Sequence, residues 1–365
     1  METFTFFESP YLNWAVGRPH VAYNLALSDV PACPPERLGL PGFAPALVNQ
    51  PSGWPPLLDA LAERYHVSRE SIALAPGTTG ANYLVMATLL QPGDHVIVER
   101  PTYDPLQYVP RSLGASVSFV DRLPEQRYAV DLAAIAAAIT PATRLIIVSN
   151  LYNPACTRVT VETLHALATL AEVHDIHVLV DEVYLEWLRD DPLRPEGAPA
   201  AASLSPRLIT TSSLTKAFGL SALHIGWIVA TPDLVRRIHA GGLLAGVTPS
   251  HMSERLAFTA LQNAEQIVTP LRELLARNRP VLKGWVEQTP GVTWCEPDAG
   301  ATAFVSVGAV DSMALSDRLI AEFDTAIVPG EFFGAPGYIR VGYAVDGGVL
   351  AEGLARLGTA LRSFA

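Results

Sequence analysis

Cysteine is scarce in this chain of 365 residues: Cys33, Cys156 and Cys295 are far apart and form no CxxC spacing. Neither a disulfide framework nor a zinc site is indicated, and a reducing compartment fits. Basic residues are also in short supply, since 25 Lys and Arg against 36 Asp and Glu leave a net charge of −11. That surplus argues against nucleic acid or an anionic membrane as the main partner and suits a protein that binds small molecules. No stretch approaches the ~18 uninterrupted apolar residues of a membrane span. The opening METFTFFESP lacks the basic start and long apolar run of a secretory signal, so the cytoplasm is the expected location. His174 and His177 have no carboxylate ligand pattern around them and are read as surface or packing residues, so no metal is expected.

With 49% hydrophobic and 17% charged residues the chain can bury a large core. Its length exceeds what one core usually fills, so two domains are expected. Residues 1–35 are rich in aromatics and prolines without a clear period and read as an N-terminal arm, with ordered core starting at Tyr23-Asn24-Leu25. Apolar positions 54, 57, 58 and 61 predict a helix after Gly53, with Pro55 in its first turn. Next come a short apolar strand, the turn Pro76-Gly77-Thr78-Thr79-Gly80, and a helix expected to begin near Ala81. Strands and helices then alternate. Asp94–Glu99 predicts a strand followed by Tyr103, Leu145–Val148 a strand ending in Asn153-Pro154, and His177–Val180 a strand closed by Asp181. The alternation suggests an α/β sheet, whose ligands gather at the carboxyl ends of its strands. Beyond Pro232 the pattern predicts a helix to His239, a Gly-rich loop at 241–246, one long helix over 251–283, and short C-terminal strands, one of which carries Arg340. The expected division is a large domain of residues 36–250, with 1–35 and 251–365 forming the arm and a small domain.

Local chemistry leaves several of these positions open. The Gly-Thr-Thr-Gly turn at a helix start can cradle a phosphate or merely cap the helix. Tyr103 can stack on a planar ring or pack, Asn153 before Pro154 is an ordinary turn signal, and Arg340 suits a solvated outer position. Lys216 stands apart because of its context, SSLTKAFGLSALHIGW. Hydroxyls at Thr210, Thr211, Ser212, Ser213 and Thr215 precede it, and Gly219 and Gly226 follow. A partly desolvated amine there can attack a carbonyl and hold it as a Schiff base. Pyridoxal phosphate is the cofactor that uses this chemistry and also carries a phosphate. Asp181 closes an apolar strand, where its charge is costly to bury unless a cation meets it. A protonated pyridine nitrogen would be such a cation, although a strand-end turn also accounts for this residue.

Ser-x-x-Lys-x-x-Gly-Leu at 213–220, with the later Gly226, resembles the cofactor-lysine segment of the class I/II aminotransferases, in the fold-type I superfamily of pyridoxal-phosphate enzymes. The resemblance covers roughly residues 23–345, with seven elements in the family's order. It implies a mostly parallel seven-stranded-type sheet flanked by helices, a smaller α+β domain, and a homodimer with shared active sites. It further implies that Gly77, Thr78, Thr79 and Ser213 hold the cofactor phosphate and that Tyr103 lies against the pyridine ring. Asn153 and Tyr184 would bond its phenolic oxygen, Asp181 would pair with its ring nitrogen, and Lys216 would be catalytic. Arg340 would fork onto the substrate α-carboxylate, with Asn153 and, from the arm, Ser28 also in the substrate pocket. The sequence departs from the family at three places. Leu151, Ala155 and Cys156 replace residues of the family's asparagine-proline motif, and His224 stands where an arginine usually clamps the phosphate. Val48 falls where a tyrosine often crosses the dimer. The implied activity is transamination between an α-amino acid and a 2-oxo acid. Elimination, replacement or cyclisation on an amino acid, or a degenerate binding protein of the same fold, are the alternatives.

Overall fold

The structure, a computed structural model, describes residues 10, 11, 14, 21–26, 28, 30–31, 53–189, 198–245 and 247–362. Val48 and Cys33 lie outside them.

Strands β1 (Tyr23–Asn24), β2 (Ile72–Ala75), β3 (His95–Arg100), β4 (Ser116–Asp121), β5 (Thr143–Ser149), β6 (His177–Asp181), β7 (Leu208–Ser213) and β8 (Gly226–Val229) lead the chain to residue 229. Between and after them run α1 (Pro55–Tyr65), α2 (Gly77–Leu89), α3 (Pro105–Ser112), α4 (Leu132–Ala138), α5 (Val161–Val173) and α6 (Pro232–Ala245). Seven of the described strands form one sheet in the order β2-β8-β7-β6-β5-β3-β4. Its pairings are parallel except at β8, which runs antiparallel to both neighbours. Alternation along the strands sorts its two faces. Val96 and Val98 pack under α2, α3 and α6, whereas Ile97, Ile146 and Val178 pack under α4 and α5. Cover on both faces explains the continuous apolar runs that mark these strands in the sequence.

The remainder holds α7 (His251–Gln262), α8 (Ala264–Gln288), β9 (Thr293–Trp294), β10 (Thr302–Ser306), α9 (Ser312–Phe323), β11 (Thr325–Ala326), β12 (Val328–Pro329), β13 (Tyr338–Gly342) and α10 (Gly347–Arg362). An antiparallel sheet in the order β12-β13-β10-β9 packs against α8, α9 and α10. Here β1 joins β11 in parallel, pairing Tyr23 with Thr325, so the N-terminal segment is tied to this C-terminal part. Gly353 permits that contact, since a Cβ there would lie 2.7 Å from Leu25 Cδ1.

Three expectations are corrected. Helix α2 begins at Gly77, not near Ala81, so the glycine-threonine turn is the first turn of the helix itself; Gly77 enters it at φ 69°. Helix α6 continues through Ala245, and the glycines expected to form a loop serve packing instead: a Cβ on Gly242 would sit 3.4 Å from Val247 O and 3.7 Å from Leu84 of α2. The long helix expected over 251–283 is two, α7 and α8, parted at Asn263, and α8 runs on to Gln288.

A buried ionic cluster ties α1 to the turn after β6. Glu186, wholly buried, accepts from Arg64 Nε and Nη2 at 3.2 and 2.7 Å, from Tyr65 Oη at 2.8 Å and from Arg189 Nε at 3.2 Å. Trp227 of β8 donates to the same tyrosine oxygen at 2.7 Å.

Candidate active site

A cavity of about 210 Å³ opens at the carboxyl ends of β5, β6 and β7, with Arg340 reaching it from β13. Gly77, Thr78, Thr79, Tyr103, Asn153, Asp181, Tyr184, Lys216, His224, Arg340 and Ser28 all line it, although they come from segments up to 312 positions apart, the span from 28 to 340. Ser213 is the one residue of the expected set that does not. Fully buried in β7, it sits beneath the cradle, where Thr78 Oγ1 donates to its hydroxyl at 2.8 Å and Thr215 Oγ1 lies 2.7 Å away. Thr210, Thr211 and Ser212 are fully buried too, because β7 is covered on both faces. They are sheet residues and not ligands of the cavity.

At one end the first turn of α2 meets the loop after β7. Gly226 makes the approach possible: a Cβ there would lie 2.5 Å from the Gly77 carbonyl carbon and 2.8 Å from Ser212 O. The N-terminus of α2, with Thr79, Thr215 and Ser221 around it and the exposed His224 at the rim, presents helix N–H groups and hydroxyls to an anion. His224 adopts the left-handed region, φ 47°, at the end of a short 3₁₀ turn.

The middle of the cavity holds Asp181, Tyr103, Tyr184 and Lys216. Burial pushes the Asp181 carboxyl up from its ordinary range, opposed by a hydrogen bond from Asn82, the Val183 N–H and the charge of Lys216. A buried carboxylate that opens on a cavity suits a cationic partner such as a protonated ring nitrogen. Tyr103, bonded to Thr79, has its phenol pushed up by burial. Lys216 Nζ donates to Ser28 Oγ at 3.0 Å.

Arg340 occupies the other end. Period-two alternation turns its neighbours Ile339 and Val341 into the core under α8 and α10 and leaves Arg340 on the opposite face, 1% exposed. Its Nη1 donates to Asn153 Oδ1 at 3.3 Å and its Nη2 to Tyr11 Oη at 3.0 Å, while Nε is buried with no hydrogen-bond partner among the described residues. A buried guanidinium with a spare donor fits a carboxylate. Nearby, Cys156 takes φ 54°, and Gly300 accommodates its side chain, because a Cβ on Gly300 would lie 2.9 Å from Cys156 Sγ. The departures at 151, 155 and 156 are thus packed into a fully buried turn that keeps Asn153 at the cavity.

Sequence reasoning missed Tyr11 and Asn82. Tyr11 carries no motif; it lines the cavity, its hydroxyl accepts from Arg340, and its N–H donates to Asp104 Oδ2 at 3.1 Å. Asn82 looks like one polar position of an otherwise apolar helix.

The family pattern described as aminotransferase class I and II matches residues 47–357. Among curated proteins the chain is 30% identical over 312 residues to an arginine–pyruvate transaminase of Pseudomonas aeruginosa, covering 82% of this chain and 79% of that one. It is also 30% identical over 291 residues to a capreomycidine synthase of Streptomyces vinaceus, covering 79% and 74%. A solved pyridoxal-phosphate-dependent aminotransferase from Streptococcus suis superposes with a TM-score of 0.88 at 26% identity, covering 99% of both chains. With the sheet, the lysine loop and the second sheet's arginine in one arrangement, the chain belongs to the class I and II aminotransferases, as a pyridoxal-phosphate-dependent transferase of fold-type I.

Proposed function

We propose that the cavity transfers an amino group between an α-amino acid and a 2-oxo acid, with Lys216 as the catalytic amine. When bound, pyridoxal phosphate supplies a carbonyl that condenses with amines and a ring that takes up the electron pair released at the substrate's α-carbon. The α2 N-terminus with Thr78, Thr79 and the rim residue His224 would hold the phosphate, braced from below by Ser213. Asp181 would keep the ring nitrogen protonated, Tyr103 would face the ring, and Asn153 and Tyr184 would donate to its phenolic oxygen. Lys216 Nζ would tether the cofactor and, as a free amine, would move the proton taken from the substrate Cα. Arg340 binds the α-carboxylate and Ser28 borders the same pocket.

The observation that carries this reading is the opening of Lys216, Asp181 and Arg340 on one cavity. The pairing of β1 with β11 supports grouping residues 1–35 with 251–365 as arm and small domain, beside a large domain of 36–250. The working unit is taken to be a cytoplasmic homodimer. The synthase among the relatives favours a second reading, cyclisation or replacement at the same carbon. Incubation with cofactor, a panel of amino-acid donors and a 2-oxo acid acceptor decides between them. A new amino acid formed from the acceptor supports transfer; ammonia or a cyclic product without use of the acceptor overturns it.

Arg340→Lys keeps the charge and loses the fork. Affinity for α-carboxylate substrates is expected to fall about tenfold or more, about 1.5–3 kcal/mol for a charge-assisted hydrogen bond. Unchanged KM and inhibitor binding would refute the assignment. At His224 an arginine adds a permanent charge and a planar donor beside the phosphate. His224→Arg is expected to tighten cofactor binding by several-fold, about 0.5–1 kcal/mol at an exposed position. Titration of the apoprotein with pyridoxal phosphate checks this, and an equal affinity would place the phosphate's cation elsewhere.

A further inference from the structure

Asn82, in the second turn of α2 and 3% exposed, does not line the cavity. Its amide nitrogen donates to Asp181 Oδ2 at 2.8 Å, and its amide oxygen accepts from Thr211 Oγ1 at 2.6 Å. The sheet delivers Thr211 to that place, since it pairs directly with Asp181 between β7 and β6. The other carboxylate oxygen accepts the Val183 N–H at 3.1 Å. A carboxylate only accepts and an amide nitrogen only donates, so the chain of bonds runs in one direction when Asp181 is charged. Thr211 donates to the amide oxygen, which turns the amide nitrogen toward the carboxylate. A proton on Asp181 Oδ2 would call for the opposite face of the amide, which the threonine's donated hydrogen bond opposes.

We propose that Asn82, oriented by Thr211, is a positioning residue that keeps the Asp181 carboxylate charged and aimed at the cofactor's ring nitrogen. The proposal rests on the reading of Asp181 given above. Burial works against the charge at this site, and among described residues the groups that favour it are Asn82, the Val183 N–H and, through space, Lys216. Removal of the amide takes away the only side-chain donor among them and leaves the charge under-compensated in a dry site.

The test uses full-length apoprotein and two ligands, pyridoxal phosphate and its 1-deaza analogue, in which carbon replaces the ring nitrogen. Binding is followed by tryptophan fluorescence. Asn82→Leu, of similar volume without the donor, is expected to weaken pyridoxal phosphate by about tenfold to hundredfold and to leave the analogue within about twofold. An equal loss for both ligands, or for neither, overturns the proposal, because it would mean that Asn82 only packs the helix. Asp181→Asn is measured beside it. If that variant binds both ligands as the wild type does, the reading of Asp181 fails and the proposal with it. If Asp181→Asn shows the selective loss and Asn82→Leu does not, the reading of Asp181 stands and Asn82 is not its positioning residue. Should Asn82→Leu fail to fold, Thr211→Val, nearly isosteric, must show the same selective loss at about threefold to tenfold, and its absence overturns the proposal.

Discussion

Replacement of Lys216 by alanine is expected to abolish measurable transfer, a fall of at least about 10⁴-fold, while leaving the fold intact. Proton transfer by a positioned side chain alone contributes ~10²–10⁴ to rate, and this residue also serves as the tethering nucleophile. Little in the fold depends on the amine. Its Nζ donates to Ser28 Oγ at 3.0 Å, and the residue is part-exposed at the cavity rather than built into the core. The measurement is kcat/KM beside the thermal unfolding midpoint and the visible absorbance of bound cofactor. Transfer at the wild-type rate would refute the mechanism. A collapse of the unfolding midpoint would mean that the lysine is structural.

Glu186→Ala is expected to be the most destabilising change in the large sheet's surroundings, at about 3–5 kcal/mol for one partner lost from a buried ion cluster. It leaves Arg64 and Arg189 facing each other with their shared carboxylate gone, and it removes the acceptor of the Tyr65 hydroxyl that also receives Trp227 Nε1. Chemical unfolding gives the number, and a loss under about 1 kcal/mol would show that the arginines find other partners. The cluster also sets a pH dependence. Burial pushes the Glu186 carboxyl up, but Arg64 and Arg189 outweigh it and bring it from 4.5 down to about 2. Its stabilising contribution is therefore complete above the unfolded value near 4.5 and is lost as pH falls toward 2. Glu182, on the far side of Arg189, behaves in the opposite sense. Burial raises it to about 8, so its contribution is complete below 4.5 and is lost as pH rises toward 8. Glu186→Ala should accordingly unfold with a flatter acid limb than the wild type.

Much of the site was legible because its residues break a local pattern. Lys216 lies among hydroxyls and glycines, Asp181 ends the apolar run Val178-Leu179-Val180, and Arg340, which locally suits a solvated outer position, was marked by the resemblance. A charge such as Asp181 at the end of an apolar strand needs a partner from somewhere. The helix of residues 77–89 was legible as well, but not its start. A glycine at φ 69° followed by two threonines reads as a turn, and only packing against Gly226 and β7 draws that turn into the helix.

By itself the sequence determined the alternation of strands and helices, which rests on local periodicity, and it pointed to the family through the order of motifs that resemble those of the class I/II aminotransferases. Tertiary structure alone decided which polar groups meet. Tyr11 reaches Arg340 across 329 positions, Asn82 reaches Asp181 across 99, and Thr211, one of the hydroxyls ahead of Lys216, donates to the Asn82 amide oxygen from inside the sheet. The break at Asn263 was hidden because apolar spacing continues through it, and the end of α6 because its glycines read as a loop. A hydrogen bond between distant segments leaves no periodic trace in either one, and its partners are set by the sheet register and helix packing that only the folded chain possesses.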